Sequence, residues 1–553
     1  MDKNLFEDLK KTVKGEITQD EQTLQKFSHD ASIFEVTPRF VVFPKDSEDI
    51  KNLVKFINAN RKSQPNLSIT PRSAGTDMSG GALGESIVIS FTNHLNQIKG
   101  VRQNVVTAQP GVYYRDFEKF TLQYGLIFPS YPSSREICAI GGIVNNNAGG
   151  EKSLEYGKTE KYVKSMKMVL ADGNEYEFGP LNENELQKKL ILNTFEGQVY
   201  QKMYGLIIKN YDEIMKAKPK VSKNSSGYYL WNVYDKEKKN FDLTKLFVGA
   251  QGTLGIMTEA SLMLEPVKKH SRMLIAYLEE KDETKLGSII NTVNPLEPES
   301  FETYDDTTLK LAVKYFHEFA KKMGAKNIIS AAFHFLPELI MVYTNRVPKI
   351  FLQIEFTGNN TDDLDDKIKD LKEKLKPFDI KMKLAGNEMQ SKKYWLIRRE
   401  SFNLLREKVK DMHSSPFIDD IVVNPEDLPE FLPRLNKIIA KYPSIISTLA
   451  GHMGNGNFHI IPLMNLHEES QREIIPKLSK EVFDLVLEYK GSTSGEHNDG
   501  LIRSMYLKQM FGEKIYKLFE ETKKIFDPLN IFNPRKKVNS SMDYSMNHIR
   551  TNW

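Results

Sequence analysis

Two short segments in the second half of the chain concentrate side chains suited to metal and proton chemistry. Gly451-His-Met-Gly-Asn-Gly-Asn-Phe-His places His452 and His459 seven positions apart, and Gly495-Glu-His-Asn-Asp-Gly-Leu-Ile-Arg places Glu496 beside His497. Seven residues would put both imidazoles on one helical face, but Gly454 and Gly456 between them argue against a helix. The segment instead predicts a tight Gly/Asn turn leading into a strand at Phe458-His-Ile-Ile, which folds His459 back beside His452. His452, His459 and Glu496 then form a three-ligand set with an open position for Zn²⁺ or another divalent ion. A lone histidine is more often a hydrogen-bonded structural residue; this many such groups in glycine-rich loops favours a functional site.

Three glycine-rich segments in the first half make a different demand. Pro71-Arg-Ser-Ala-Gly-Thr-Asp-Met-Ser-Gly-Gly-Ala follows the strand Ser68-Ile-Thr, and its free N–H groups with the Thr76 and Ser79 hydroxyls predict an anion nest. Ile140-Gly-Gly-Ile-Val-Asn-Asn-Asn-Ala-Gly-Gly and Phe247-Val-Gly-Ala-Gln-Gly-Thr-Leu-Gly-Ile have the small residues that let backbone approach a flat ligand closely. None has the spacing of a nucleoside-triphosphate loop or of a Rossmann dinucleotide loop. Cys138, just before the second segment, reads as a small packed residue.

The elements that must position these segments are legible in outline. Phe40-Val-Val-Phe, Leu67-Ser-Ile-Thr, Ser86 to Ser90 and Asn104 to Ala108 read as strands; Ser47 reads as the N-cap of a helix to about Asn60. A boundary is expected near Glu265-Pro266. Beyond it, Ile350-Phe-Leu-Gln-Ile-Glu-Phe and the amphipathic Thr361 to Lys376 predict an α+β layer, followed by a C-terminal helix from Tyr506 to about Phe526. The lysine-rich stretch Lys216 to Lys223 reads as solvated surface.

Composition bounds the rest. The chain has 553 residues, enough for about three or four typical domains, and its 77 basic and 73 acidic side chains leave a net charge of +4, which gives no reason to expect nucleic acid. Forty per cent hydrophobic and 27% charged residues exclude a disordered chain. A single cysteine excludes an internal disulfide framework, a cysteine-rich zinc module and an iron–sulfur cluster ligated by this chain alone. The polar N-terminal helix lacks a secretory apolar core and no run is long enough to span a bilayer, so the expected location is cytoplasmic, with peripheral contact at the cytoplasmic face of a membrane left open.

In their order and spacing, the glycine segments resemble the FAD-binding domain of the vanillyl-alcohol oxidase superfamily, from about Pro38 to Pro266. The resemblance implies an α+β fold: a PCMH-type FAD-binding domain of two subdomains, an α+β cap, and a C-terminal helical segment returning to the FAD domain. The implied divisions are 1–37, an N-terminal helical segment; 38–266, the FAD domain; 267–505, the substrate and metal domain; and 506–553, the C-terminal segment. The implied cofactor contacts are Arg72, Ser73, Ala74, Gly75, Thr76, Asp77, Ser79, Gly80, Gly141, Gly142, Asn146, Asn147, Gly149, Gly150, Gly252, Gly255 and Ile256. Some relatives tether flavin through a His or Cys; Gly75-Thr-Asp offers neither, so non-covalent FAD is expected.

The second half is similar to the flavin-linked D-2-hydroxyacid dehydrogenases, whose Gly-His-x-Gly-x-Gly-Asn-x-His is matched at 451–459 and whose Gly-Glu-His is matched at 495–497. Phe526-Asp-Pro-Leu-Asn-Ile-Phe-Asn-Pro is similar to the family's closing segment. Carried over, the resemblance implies that His452, His459 and Glu496 bind the metal, expected to be zinc, and that His497 is the base; Asn498 and Asp499 depart from the family's glycine there. Trp395-Leu-Ile-Arg-Arg-Glu resembles the segment that anchors a substrate carboxylate, implying Arg398 with Arg399 as the fallback. Phe417-Ile-Asp-Asp-Ile-Val-Val suggests a pocket wall, with no lysine there for a second carboxylate.

The expected activity is oxidation of a D-2-hydroxy acid, D-lactate to pyruvate first, by hydride transfer to flavin N5 with a metal-polarised hydroxyl. The alternatives are D-2-hydroxyglutarate, glycolate, an alcohol or an aldonolactone as substrate, or a flavoprotein subunit active only with a partner. The electron acceptor is expected to be a quinone, a cytochrome or a separate iron–sulfur protein; a homodimer is compatible with the sequence.

Overall fold

Short β-branched runs in the N-terminal half form two small sheets. The computed structural model describes residues 2–314, 316, 328–344, 346–408 and 412–553. In the first sheet, Phe40–Phe43, Ile87–Ser90 and Ile69–Arg72 run parallel, and Glu16–Thr18 adds an antiparallel edge to Phe40–Phe43. Within the N-terminal segment, Glu16–Thr18 joins this sheet between the helices Asp2–Thr12 and Glu21–Phe27. Helix Ser47–Asn60 covers the sheet through Ile50, Leu53, Val54 and Ile57. Its N-cap is Asp46, whose carboxylate accepts the Asp49 amide, and not the expected Ser47, which is the first helical residue.

The second sheet is antiparallel, in the order Ile98–Arg102, Val105–Ala108, Ile256–Met263, Val163–Val169, Glu175–Phe178. The central strand Ile256–Met263 emerges from the third glycine segment, so the sheet fixes where that loop begins. An aromatic core packs beneath it, with Phe247 edge-on to both Phe178 and Phe526. Phe526 ends helix Leu507–Phe526, and Phe519 of the same helix meets Tyr228. The C-terminal segment therefore packs on this subdomain. Beyond the helix, the Asn533 amide donates to Gly81 O and Gln251 O, both 2.7 Å, and pins the first glycine loop to the third.

The cap is built on an antiparallel sheet in the order Lys381–Leu384, His270–Leu278, Ile350–Gly358, Ser300–Asp305, Ile446–His452, Asn457–Met464, His413–Ser414, with Ile421–Val422 also against Asn457–Met464. Both faces are covered, so the stretch Met273–Leu278 of strand His270–Leu278 is apolar on both. Leu274, Ala276 and Leu278 meet helices Leu286–Val293 and Thr361–Leu375, while Met273, Ile275 and Tyr277 meet the side of Tyr394 and Ile397 on helix Glu388–Lys408. Among the described residues no helix is long and apolar enough to cross a membrane.

Candidate active site

The turn expected between the two histidines is a β-hairpin. Ile446–His452 pairs with Asn457–Met464, with Ala450 opposite His459 and His452 opposite Asn457. Residues offset by two across an antiparallel pair share a face, so the rings of His452 and His459 meet, with centroids 5.1 Å apart. Gly456 closes the turn at φ +63°, where a Cβ would lie 2.0 Å from Val423 O, so only glycine fits.

Glu496 and His497 reach the same place on a loop held by Asp420. One oxygen of that carboxylate accepts the amides of Glu496 (2.8 Å) and His497 (2.7 Å) and the Ser494 hydroxyl (2.7 Å). Three Nε2 atoms then face Glu496 Oε1: those of His452, His459 and His497, at 3.1, 3.5 and 3.9 Å. Each ring is steered from behind. Glu302 contacts His452 Nδ1 at 2.7 Å, and the two oxygens of Asp419 contact His459 Nδ1 at 3.0 Å and His497 Nδ1 at 2.6 Å. A ring that donates Nδ1–H to a carboxylate presents a lone pair at Nε2, the orientation that metal-ligating histidines need. The ligand atoms of His452, His459 and Glu496 all lie within 4.8 Å of one another, so this donor set fits a divalent ion.

Burial opposes charge throughout the cluster, and neighbours decide who keeps it. Burial wins at His459, whose pKa falls below the ordinary value despite Asp419. At His497 burial is outweighed by Asp419 and Asp420, which push it up to about 9. Glu496 is held well below the carboxylate range, because Lys223 and His452 outweigh its desolvation.

A cavity of about 600 Å³ runs from this cluster to the glycine loops. Its wall includes Arg72 to Asp77, Gly141, Gly142, Asn146, Gly149, Gly252 and Gly255 at one side and Arg398, His452, His459, Glu496 and His497 at the other. The loops form thin backbone walls. A Cβ at Gly141 would sit 2.3 Å from Ser73 Oγ, whereas one at Gly142 would meet open space. Such a cradle suits a large flat cofactor.

Residues 38–179 match the FAD binding domain family and residues 288–537 match the C-terminal domain of FAD linked oxidases. The chain belongs to the PCMH-type FAD-linked oxidase superfamily. The chain is 27% identical to a D-2-hydroxyglutarate dehydrogenase of Pseudomonas putida over 95% of its own length, but spans about half (50%) of that relative. It is 26% identical to a D-lactate dehydrogenase of Anaerostipes hadrus, covering 93% of this chain and 92% of the relative. Its fold is that of p-cresol methylhydroxylase, at TM-score 0.67 and 14% identity, covering 97% of this chain and 96% of that one.

Not every residue expected at the cofactor lines this cavity. Ser79, Gly80, Asn147, Gly150 and Ile256, expected at the cofactor, stand behind the cavity wall. Ser79 Oγ donates to Asp77 and accepts from Gln251, Gly80 packs on Phe34 and Leu501, and Asn147 Nδ2 donates to Glu160. A Cβ on Gly150 would strike Tyr131 O, and Ile256 is core. Asp77 reaches the wall, but its carboxylate closes the loop by accepting the amides of Ser79 and Gly81 and the Asn146 side chain. His29 and Cys138, outside the loop considered for a covalent tether, also line the cavity, and burial pushes the Cys138 thiol up to about 12.

The two arginines separate. Arg399 forms a fork with both oxygens of Glu151 and stacks on Trp395, so its guanidinium is engaged. Arg398 lies with Nε 2.6 Å from Glu302 Oε2, while its buried Nη2 has no hydrogen-bond partner. Asn498 and Asp499 fasten the loop that carries His497 to the FAD domain: Asn498 donates to Asn146 O and Gly249 O, and Asp499 accepts from Gly227 N and Lys537 Nζ. Lys223, expected in solvent, is 2% exposed and lies against Glu496. Glu302 carried no signal in the sequence, since an acid inside the strand Ser300–Asp305 has no motif around it. Asp419 and Asp420 were visible only as an acidic pair.

Proposed function

We propose that this chain oxidises a short D-2-hydroxy acid, D-lactate before glycolate or D-2-hydroxyglutarate, to the 2-oxo acid. The observation that carries the reading is the single cavity joining the glycine cradle to the histidine cluster, with the unpartnered Nη2 of Arg398 in its wall. FAD, held non-covalently among Arg72 to Thr76, Gly141, Gly142 and Gly252, supplies the two-electron acceptor. Arg398 binds the substrate carboxylate, which satisfies its free N–H group. His452, His459 and Glu496 would hold a divalent ion such as Zn²⁺, whose chemistry there is to polarise the hydroxyl.

His497 takes the hydroxyl proton at Nε2, with Asp419 fixing the tautomer from Nδ1. Asp419 and Asp420 hold the His497 pKa up at about 9, which makes its ring a strong proton acceptor. The electrons then pass to a quinone, a cytochrome or a separate iron–sulfur protein.

The short-substrate preference rests on the wall beside the histidines. Ala450 and Ile461 are apolar, Thr308 and Ser414 uncharged, and Arg399 is occupied by Glu151. D-2-hydroxyglutarate is the second reading, because Arg399 lines the same cavity and would serve a second carboxylate if it left Glu151. The FAD-loaded protein, mixed anaerobically with D-lactate, glycolate or D-2-hydroxyglutarate, distinguishes them by which acid bleaches the flavin band fastest. Bleaching by none would refute the proposal.

A further inference from the structure

Lys223 has no part in the chemistry above, yet it is buried against a group central to it. Its Nζ lies 3.1 Å from Glu496 Oε2 and 3.3 Å from Asn457 Oδ1. The opposite oxygen, Oε1, is the one faced by the three imidazole Nε2 atoms. Lysine therefore occupies one oxygen of the carboxylate and leaves the other for the histidines.

The residue comes from the FAD domain, and its neighbours sew that domain to the cap. Ser222 Oγ donates to Asn455 O at 2.5 Å, Ser225 N donates to Ser494 O at 2.8 Å, and Asn224 Oδ1 accepts the Ser492 hydroxyl at 2.7 Å. Gly149 completes the seam: a Cβ there would be 2.8 Å from Glu496 Oε2, so the carboxylate lies directly against the second glycine loop.

We propose that Lys223 is a positioning residue that keeps Glu496 a one-oxygen ligand and keeps the ion at the histidine site loosely held and strongly polarising. This rests on the metal reading given above. A fixed ammonium beside the carboxylate repels a cation and draws charge out of Glu496, so it weakens metal affinity. By occupying Oε2 it also prevents the carboxylate from chelating with both oxygens and filling the position that the substrate hydroxyl needs.

The test uses the FAD-loaded full chain, with Zn²⁺ as the probe and affinity measured by competition with a chromophoric chelator. K223M should bind Zn²⁺ more tightly, on the order of tenfold, while kcat falls on the order of tenfold and KM holds. A scaffold role predicts the opposite, weaker metal binding. Should K223M not fold, K223Q is equally uncharged and keeps a donor, so it carries the affinity measurement. Zn²⁺ bound no more tightly by the neutral variant, or bound more tightly by K223M with kcat unchanged, overturns the proposal for Lys223. Absence of Zn²⁺ binding by the wild-type protein overturns the metal reading itself, and this inference with it.

Discussion

Asp419 is fully buried and its two oxygens orient two different rings, so Asp419→Asn tests the tautomer argument at His459 and His497 together. An amide oxygen accepts one Nδ1–H, but the NH₂ that replaces the other oxygen can only donate. One ring must then present a bare Nδ1 and carry its proton on Nε2, where either a metal ligand or a base needs a lone pair. Of the two contacts, 3.0 and 2.6 Å long, one loses its charge-assisted hydrogen bond at about 1.5–3 kcal/mol, and the other exchanges it for a neutral one at about 1–1.5 kcal/mol. The sum, about 2.5–4.5 kcal/mol, corresponds to a kcat lower by roughly 10²–10³-fold, since each 1.36 kcal/mol is a factor of ten. Turnover of D-lactate with an artificial dye acceptor, measured beside the flavin spectrum and bound metal, reads the effect. A folded, FAD-loaded Asp419→Asn enzyme within about threefold of wild-type kcat would refute the reasoning.

Four further outcomes are expected. His459→Ala should lose most of its bound metal and roughly a thousandfold in kcat while retaining FAD, checked by metal analysis and absorbance on one sample. Arg398→Lys keeps the charge and loses the fork, so KM for the 2-hydroxy acid should rise about 10- to 100-fold, read from steady-state kinetics. Gly252→Ala puts a Cβ at φ +67° and 2.2 Å from Pro71 Cγ, so FAD retention on gel filtration should fall. Glu355 is raised from 4.5 to about 7 by burial and then by Glu299, so the folded state binds more protons than the unfolded between those values and stability falls as pH rises through that window. Glu355→Gln should therefore raise Tm relative to wild type more at pH 8 than at pH 5, by thermal denaturation.

The sequence by itself carried those features whose cause is local. Glycines at 454 and 456 exclude a helix whatever surrounds them, so the hairpin that joins His452 to His459 was readable from spacing alone. The same holds for the strands of alternating or continuous β-branched residues and for the glycine loops that now line one cavity. Which side chains act from behind was settled only by the tertiary structure. Arg398 and Arg399 are adjacent in one helix and identical in type, and Glu151, nearly 250 positions away, is what pairs with one of them and leaves the other unpaired with it. Lys223 reads as one more cation in a lysine-rich run until the domains close on it. Glu302 and Asp419 gain their roles from the rings they meet, at separations of 150, 40 and 78 residues. The physical reason is common to all four. A buried charge is tolerated only beside its partner, and chain pattern encodes which face is buried but not which distant charge will be waiting there.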